Sequence, residues 1–233
     1  MKPVAGKDFS FEDIDYPRGI RKTRTTIMTP VGEKYFSAGA GISGVLRFQD
    51  FDAGTKKMLK DILGEEIFNI MQWYNVPFEK MLAVGIGNRN SSGDRLGPAT
   101  TRRLLRIGNE KIETFEPSTY NLRDRKISTA DLVKEQVEAV NPSHVFAVDS
   151  AVGDKELFNI QFDSSFGISP GGGRTSGRID KKLLSVPVAS VSVPTAYIQN
   201  GQKMVPANAG EAINFCSSVI SESLVNAVVA LGK

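Results

Sequence analysis

The chain has 233 residues, a formal charge of +3 and a single cysteine. That length supports one sizeable core, alone or with an extension. The near-neutral charge argues against a dedicated nucleic-acid binder, and one cysteine rules out an internal disulfide framework and a cysteine-based zinc site.

The N-terminal segment MKPVAGKDFSFEDIDY has no signal-peptide core, and no apolar run is read as approaching the ~20 residues of a membrane span. The expectation is a cytoplasmic protein. Residues 1–19 are polar and carry Pro3, Pro17 and Gly19, which predicts a mobile arm or peripheral loop. Arg18, Arg21, Lys22 and Arg24 follow. They read as a solvated edge strand, since no aromatic side chains interleave them as a nucleic-acid platform requires. Short strands are predicted at 25–28, ended by Pro30, and at 45–48. Residues 1–50 are therefore assigned to an N-terminal arm with short strands packing on the core, and 51–233 to the main domain.

From Thr55 the period changes. Met58, Leu59, Ile62, Leu63, Ile67, Ile70 and Met71 recur at helical spacing between lysines and glutamates. Met81–Gly87 then reads as a strand covered on both faces. A polar loop holding Asp94 leads to Pro98, which suits the first turn of a helix. A second strand is predicted at 112–115. A helix capped by Thr129 runs to about Val140, and a third buried strand at 145–148 ends on Asp149. Strand, helix, strand, helix, strand implies a parallel core with right-handed crossovers. A less buried strand is predicted at 157–162 and another at 186–193, bounded by Pro187 and Pro194. A long apolar-faced helix runs from Glu211 to Leu231, with Cys216 on its inner face as a small core residue.

Three constellations can carry chemistry. Gly85-Ile-Gly87 after a strand resembles the start of a dinucleotide turn, with Glu116 ending the next strand. The third glycine position is Asn90, however, and the loop is too long for a tight pyrophosphate turn. Asp94 and Asp149 form the second. Parallel strands deliver their C-terminal ends to one edge, and two carboxylates that meet there cannot both ionise easily. Spacing alone leaves open that each only caps a turn. The third is Gly167-Ile-Ser-Pro-Gly-Gly-Gly-Arg174, whose glycines permit close approach of a substrate backbone and whose N–H groups can bind an oxyanion. A flexible surface loop fits the same composition. His144, the only histidine, precedes its strand and lies at the wrong end for a Ser-His-Asp triad.

Val84-Gly-Ile-Gly-Asn88, Gly93-Asp-Arg-Leu-Gly-Pro98, Ala147-Val-Asp-Ser150, Gly167-Ile-Ser-Pro-Gly171 and Val193-Pro-Thr195 occur in this order. In that combination the sequence resembles the spore germination protease family, endopeptidases that degrade small acid-soluble spore proteins. The resemblance implies an α/β class fold, a three-layer α/β/α sandwich with a mostly parallel central sheet. This is the phosphorylase/hydrolase-like arrangement shared with hydrogenase maturation endopeptidases. It implies an atypical acid-type endopeptidase with catalytic Asp94 and Asp149. Substrate binding falls to Asn88, Ser169, Gly171, Gly172 and Gly173. No cofactor and no metal are expected, because Ser169 stands where the spore enzymes tend to have histidine. The expected partners are a protein or peptide substrate and further copies of the chain, with no membrane and no direct nucleic acid. The expected location is cytoplasmic, the spore core if the source forms spores. The chain departs from the family at 118–128, which replaces a Gly- and Met-rich run. The alternatives are a catalytically inactive binding or assembly relative, a hydrogenase-maturation-type endopeptidase and a nucleotide-binding enzyme.

Overall fold

The computed structural model describes residues 5–117, 127–153, 156–164, 167–170 and 177–232. The N-terminal segment forms an antiparallel hairpin, β1 (Phe9–Tyr16) and β2 (Ile20–Ile27). Its turn is closed by Arg18 and Gly19, both at positive φ. The expected arm is thus a strand from residue 9 on. The helix α1 (Pro30–Phe36) starts at a proline behind the N-cap Thr29, and β3 (Gly41–Arg47) pairs with β2.

The basic cluster differs from the solvated edge expected of it. Arg18 lies in the turn, and Arg21, Lys22 and Arg24 lie on β2, which is covered by β1 on one side and β3 on the other. Lys22 points inward to the long helix α2 (Ala53–Trp73), where its Nζ lies 2.7 Å from Oε1 of the buried Glu66. A charge taken out of water needs such a partner. This pair ties the N-terminal hairpin to α2.

The core unit follows the predicted order: β4 (Met81–Gly85), α3 (Leu96–Ile107), β5 (Ile112–Phe115), α4 (Thr129–Val140) and β6 (His144–Gly153). The cap of α4 is Ser128 rather than Thr129, in a reciprocal capping box with Asp131. Then come β7 (Ile160–Asp163), α5 (Lys181–Leu184), β8 (Val188–Gln199), β9 (Gln202–Met204) and α6 (Ala209–Leu231).

Among the described residues the sheet has nine strands, ordered β1-β2-β3-β7-β8-β6-β4-β5 with β9 on β8. It is mixed. The β8-β6-β4-β5 half is parallel, as expected of the core, and the other half is antiparallel. Alternation along the strands splits the core into two layers. Ala83, Phe146, Val148, Ala189 and Val191 face α2, α3 and α6. Leu82, Val84, Val145, Ala147 and Val188 face α4 and α5. This is a three-layer α/β/α sandwich.

One helix, α6, is long and apolar enough to cross a membrane, contrary to the expectation that no segment is. In this fold it is a core helix, with 67% of its most apolar window buried. Cys216 on that helix is fully buried, and burial pushes its thiol up to about 12.

The strand β8 continues through Pro194, which was expected to end it. Proline is tolerated within a sheet at a bulge, and a bulge occurs here. Ala151 of β6 pairs with Pro194 while Val152 pairs with Ala196, leaving Thr195 as the extra residue.

Candidate active site

β4 and β6 lie side by side and parallel, with Gly85 opposite Val148. β4 ends at Gly85, so Asp149 is the first residue of β6 beyond that end; β6 itself runs on to Gly153, so Asp149 does not end its strand as expected. The chain leaving β4 stays beside β6 for one more residue, since Ile86 N–H donates to the Val148 carbonyl (2.8 Å). It then closes a loop on itself. Asn88 N–H donates to the Asp94 carbonyl (2.8 Å), Ser91 N–H to the Asn88 carbonyl (3.1 Å) and Asp94 N–H to the Ser91 carbonyl (3.2 Å).

Two glycine requirements explain the local sequence. Gly87 has φ +127, and a Cβ there would sit 2.1 Å from the Asp94 carbonyl oxygen. A Cβ on Gly97 would sit 2.3 Å from the Ile86 carbonyl oxygen and 2.6 Å from that of Val148. The first turn of α3 is thus pressed onto the end of β4 and the middle of β6, backbone against backbone. Arg95 provides no side-chain cap for α3. Ser150 of β6 does so instead, its Oγ accepting the Leu96 N–H at 3.3 Å. The bulge residue Thr195 completes the frame by donating from Oγ1 to the Gly93 carbonyl (2.7 Å). A bulge re-aims a side chain, and here it ties β8 to the loop that carries Asp94.

The two aspartates occupy unequal environments. Asp149 is only 7% exposed. Burial first, and then the negative charge of Asp94, push its carboxyl up to about 8, against the Ser150 N–H that donates to its Oδ1 at 2.7 Å. It holds its proton at neutral pH. Asp94 is half-buried, and burial raises it too. The positive charge of Lys203 and the Asn88 N–H oppose that rise and favour its ionised form. The pair therefore presents a carboxylate beside a carboxylic acid, the arrangement that allows one group to accept a proton while the other donates.

The other sequence-predicted residues are distributed as follows. The Asn88 side-chain oxygen is engaged within its own loop, accepting the Asn90 N–H (2.9 Å). Ser169 is half-buried, next to the bridge between Ile168 and Ile179. Gly171, Gly172 and Gly173 lie outside the described residues, as does most of 118–128. Among the described residues no grouping of three or more His, Cys, Asp or Glu side chains could hold a metal ion. His144 is buried at the opposite end of β6 from Asp149, with Nδ1 3.1 Å from Ser143 Oγ. Glu116, the acid of the nucleotide alternative, is occupied. Its Oε1 accepts from Thr101 Oγ1 (2.6 Å) and its Oε2 from Arg89 Nε (2.6 Å).

Sequence reasoning missed Lys203, Thr195 and Ser150. For Lys203 a signal existed. Asn200-Gly201 is the strongest short hairpin signal, and both residues take positive φ in the β8–β9 turn.

The fold and site define a class: α/β proteins that bring two aspartates, one holding a proton, together on the parallel half of a mixed sheet. The chain belongs to the germination protease family, whose sequence profile matches residues 43–202. Among similar proteins, the germination protease of Caldanaerobacter subterraneus subsp. tengcongensis is 31% identical over 202 residues, covering 76% of this chain and 60% of the relative. That of Oceanobacillus iheyensis is 30% identical over 219 residues, covering 84% and 56%. That of Bacillus subtilis is 29% identical over 195 residues, covering 75% and 52%. The chain thus spans a little over half the length of these relatives. Among solved structures, a hydrogenase maturation protease, HycI from Thermococcus kodakarensis, aligns at TM-score 0.41 and 14% identity, over 63% of this chain and 92% of that one.

Proposed function

We propose that this chain is an acid-type endopeptidase in which Asp94 and Asp149 share a proton and activate water. The observation that carries the reading is their asymmetry: Asp149 buried with its carboxyl pushed up to about 8, and Asp94 favoured as the ionised partner by Lys203 and Asn88. Asp94, as carboxylate, accepts a proton from the water that attacks the scissile carbonyl. Asp149 gives its proton to the carbonyl oxygen, forming a gem-diol; as the carbon–nitrogen bond breaks, the proton taken up by Asp94 passes to the leaving amine and a hydroxyl of the gem-diol returns a proton to Asp149. Gly171, Gly172 and Gly173, with Asn88 and Ser169, hold the substrate backbone and polarise the carbonyl.

Membership in the germination protease family supports proteins or peptides as substrates, with small acid-soluble spore proteins the first to try. The same family relation supports action inside the cell, in the spore core where the source forms spores, and assembly into a homo-oligomer.

The test is cleavage of a small acid-soluble spore protein and of a peptide library by the wild type and by Asp94→Asn and Asp149→Asn. General acid–base groups contribute about 10²–10⁴-fold each. Either variant should lose at least that much while keeping its fold. Variants that cleave at the wild-type rate sink the acid-pair reading. A wild type that cleaves nothing yet binds these proteins stably favours a non-catalytic relative.

A further inference from the structure

We propose that Lys203 is a positioning residue of the acid pair: its ammonium, presented by the β8–β9 hairpin against the Asp94 loop, fixes which of the two carboxyls carries the proton. This rests on the acid-pair reading and adds what regulates that pair.

The geometry begins with the hairpin. Asn200 (φ 50) and Gly201 (φ 75) reverse the chain, so that Ile198 pairs with Lys203 and Tyr197 with Met204. Two contacts then pin this hairpin to the residue just before Asp94. Thr195 Oγ1 donates to the Gly93 carbonyl (2.7 Å). On the returning side Val205 packs directly on Gly93, where an added Cβ would lie 2.7 Å from its Cγ2. Val205 precedes Pro206, which favours extended backbone at Val205. Residues two apart on an extended segment share a face. Lys203 and Val205 therefore leave the hairpin on the same side, the side that lies against the Asp94 loop.

The surrounding charges act elsewhere. Arg89 of the same loop pairs with Glu116 at 2.6 Å. Arg95, the residue after Asp94, turns toward the start of α6, where a Cβ on Gly210 would sit 3.1 Å from its Nη2. On α4, Asp131 is held in its capping box with Ser128, and Lys134 pairs with Glu138. On α6, Glu211 sits in the first turn, and Tyr197 is the titratable group of the neighbouring stretch of β8. None of these acts on the pair. Among the described residues Lys203 is the cation whose charge reaches both carboxyls, and no ion-pair partner lies within 4.0 Å of it. It is the first influence opposing burial at Asp94 and the last at Asp149. One exposed ammonium thus favours the carboxylate at Asp94 and leaves the proton on the more deeply buried Asp149.

Lys203 is exposed, so its hold is screened by salt. The experiment compares the wild type, Lys203→Met and Lys203→Arg in two readouts. The first is the pH profile of kcat on a peptide substrate. The second is a carbon-13 NMR titration of the Asp94 and Asp149 carboxyls, which reads protonation without turnover. In Lys203→Met the Asp94 titration and the acidic limb of the profile should move to higher pH by at least about half a unit, and the Asp149 titration by less, so that the two carboxyls draw together. KM and Tm should stay as in the wild type, and Lys203→Arg should restore the wild-type profile. Raising the salt from about 0.01 M to 1 M should move the wild type toward the Met variant. Carboxyl titrations that are the same in Lys203→Met and wild type overturn the proposal, as does a change in KM alone.

The two claims fail separately. If Asp94→Asn and Asp149→Asn abolish cleavage but Lys203→Met moves no titration, the acid pair stands and the role of Lys203 falls. If Lys203→Met moves the titrations while both Asn variants still cleave, the ammonium controls the pair and the pair is not catalytic.

Discussion

Replacing Asp149 with Asn should change how stability depends on pH. Folding moves this carboxyl from an ordinary 3.8 to about 8, chiefly by burial. Its folded-state value is raised, so the native state binds a proton that the unfolded chain releases. The neutral acid is compatible with the fold below about pH 4. From there stability falls as pH rises, until the native carboxyl also ionises near pH 8, and it is flat above that. One proton gives a slope of about 1.4 kcal/mol per pH unit, so the whole window is worth about 6 kcal/mol. Asn is close in shape to the neutral acid and cannot ionise. Urea unfolding of both proteins at intervals from pH 5 to 9 measures the difference directly. The wild type should lose about 1.4 kcal/mol per unit more than Asp149→Asn between pH 5 and 7, and the variant should be the more stable protein at pH 8.5. Parallel curves for the two proteins would show that Asp149 is not a buried acid and would refute the reasoning.

Other substitutions test the frame around the pair. Gly87→Ala forces a Cβ to within 2.1 Å of the Asp94 carbonyl at φ +127. It should cost at least about 2 kcal/mol in thermal unfolding and disable cleavage by displacing the loop. Glu66→Ala strips the 2.7 Å partner from the almost fully buried Lys22, leaving only Glu12 at 3.8 Å. Breaking such a pair costs about 3–5 kcal/mol, so denaturant unfolding should show a large loss, with the pH profile of any cleavage unmoved.

The elements read most securely from sequence were those with one dominant period. The helices α2, α3, α4 and α6 show apolar faces at helical spacing, and β4 and β6 are short apolar runs because both their faces are covered. Those two strands, with the parallel pairing their crossovers demand, made Asp94 and Asp149 a candidate pair before any coordinates. The N-terminal hairpin was harder to read. Phe9, Phe11, Ile14 and Tyr16 interrupt the polar run of β1, and its partners come from β2 across a turn that needs positive φ at Arg18. Lys22 looked like surface charge because its partner, Glu66, lies on a distant helix. The extension of β8 was hidden by Pro194, whose accommodation depends on the bulge at Thr195. Lys203 has no chemical signature in its own neighbourhood. Its relation to Asp94 arises only when the hairpin folds back onto Gly93.

The central claim is that Asp94, on the loop after β4, and Asp149, on the neighbouring β6, do the chemistry together. Its most direct measurement is the rate of peptide-bond cleavage by the wild type, Asp94→Asn, Asp149→Asn and the double variant, each first shown to unfold cooperatively. The pair should behave as one unit, with each single variant as inactive as the double. A double variant that still cleaves at the wild-type rate would contradict the account.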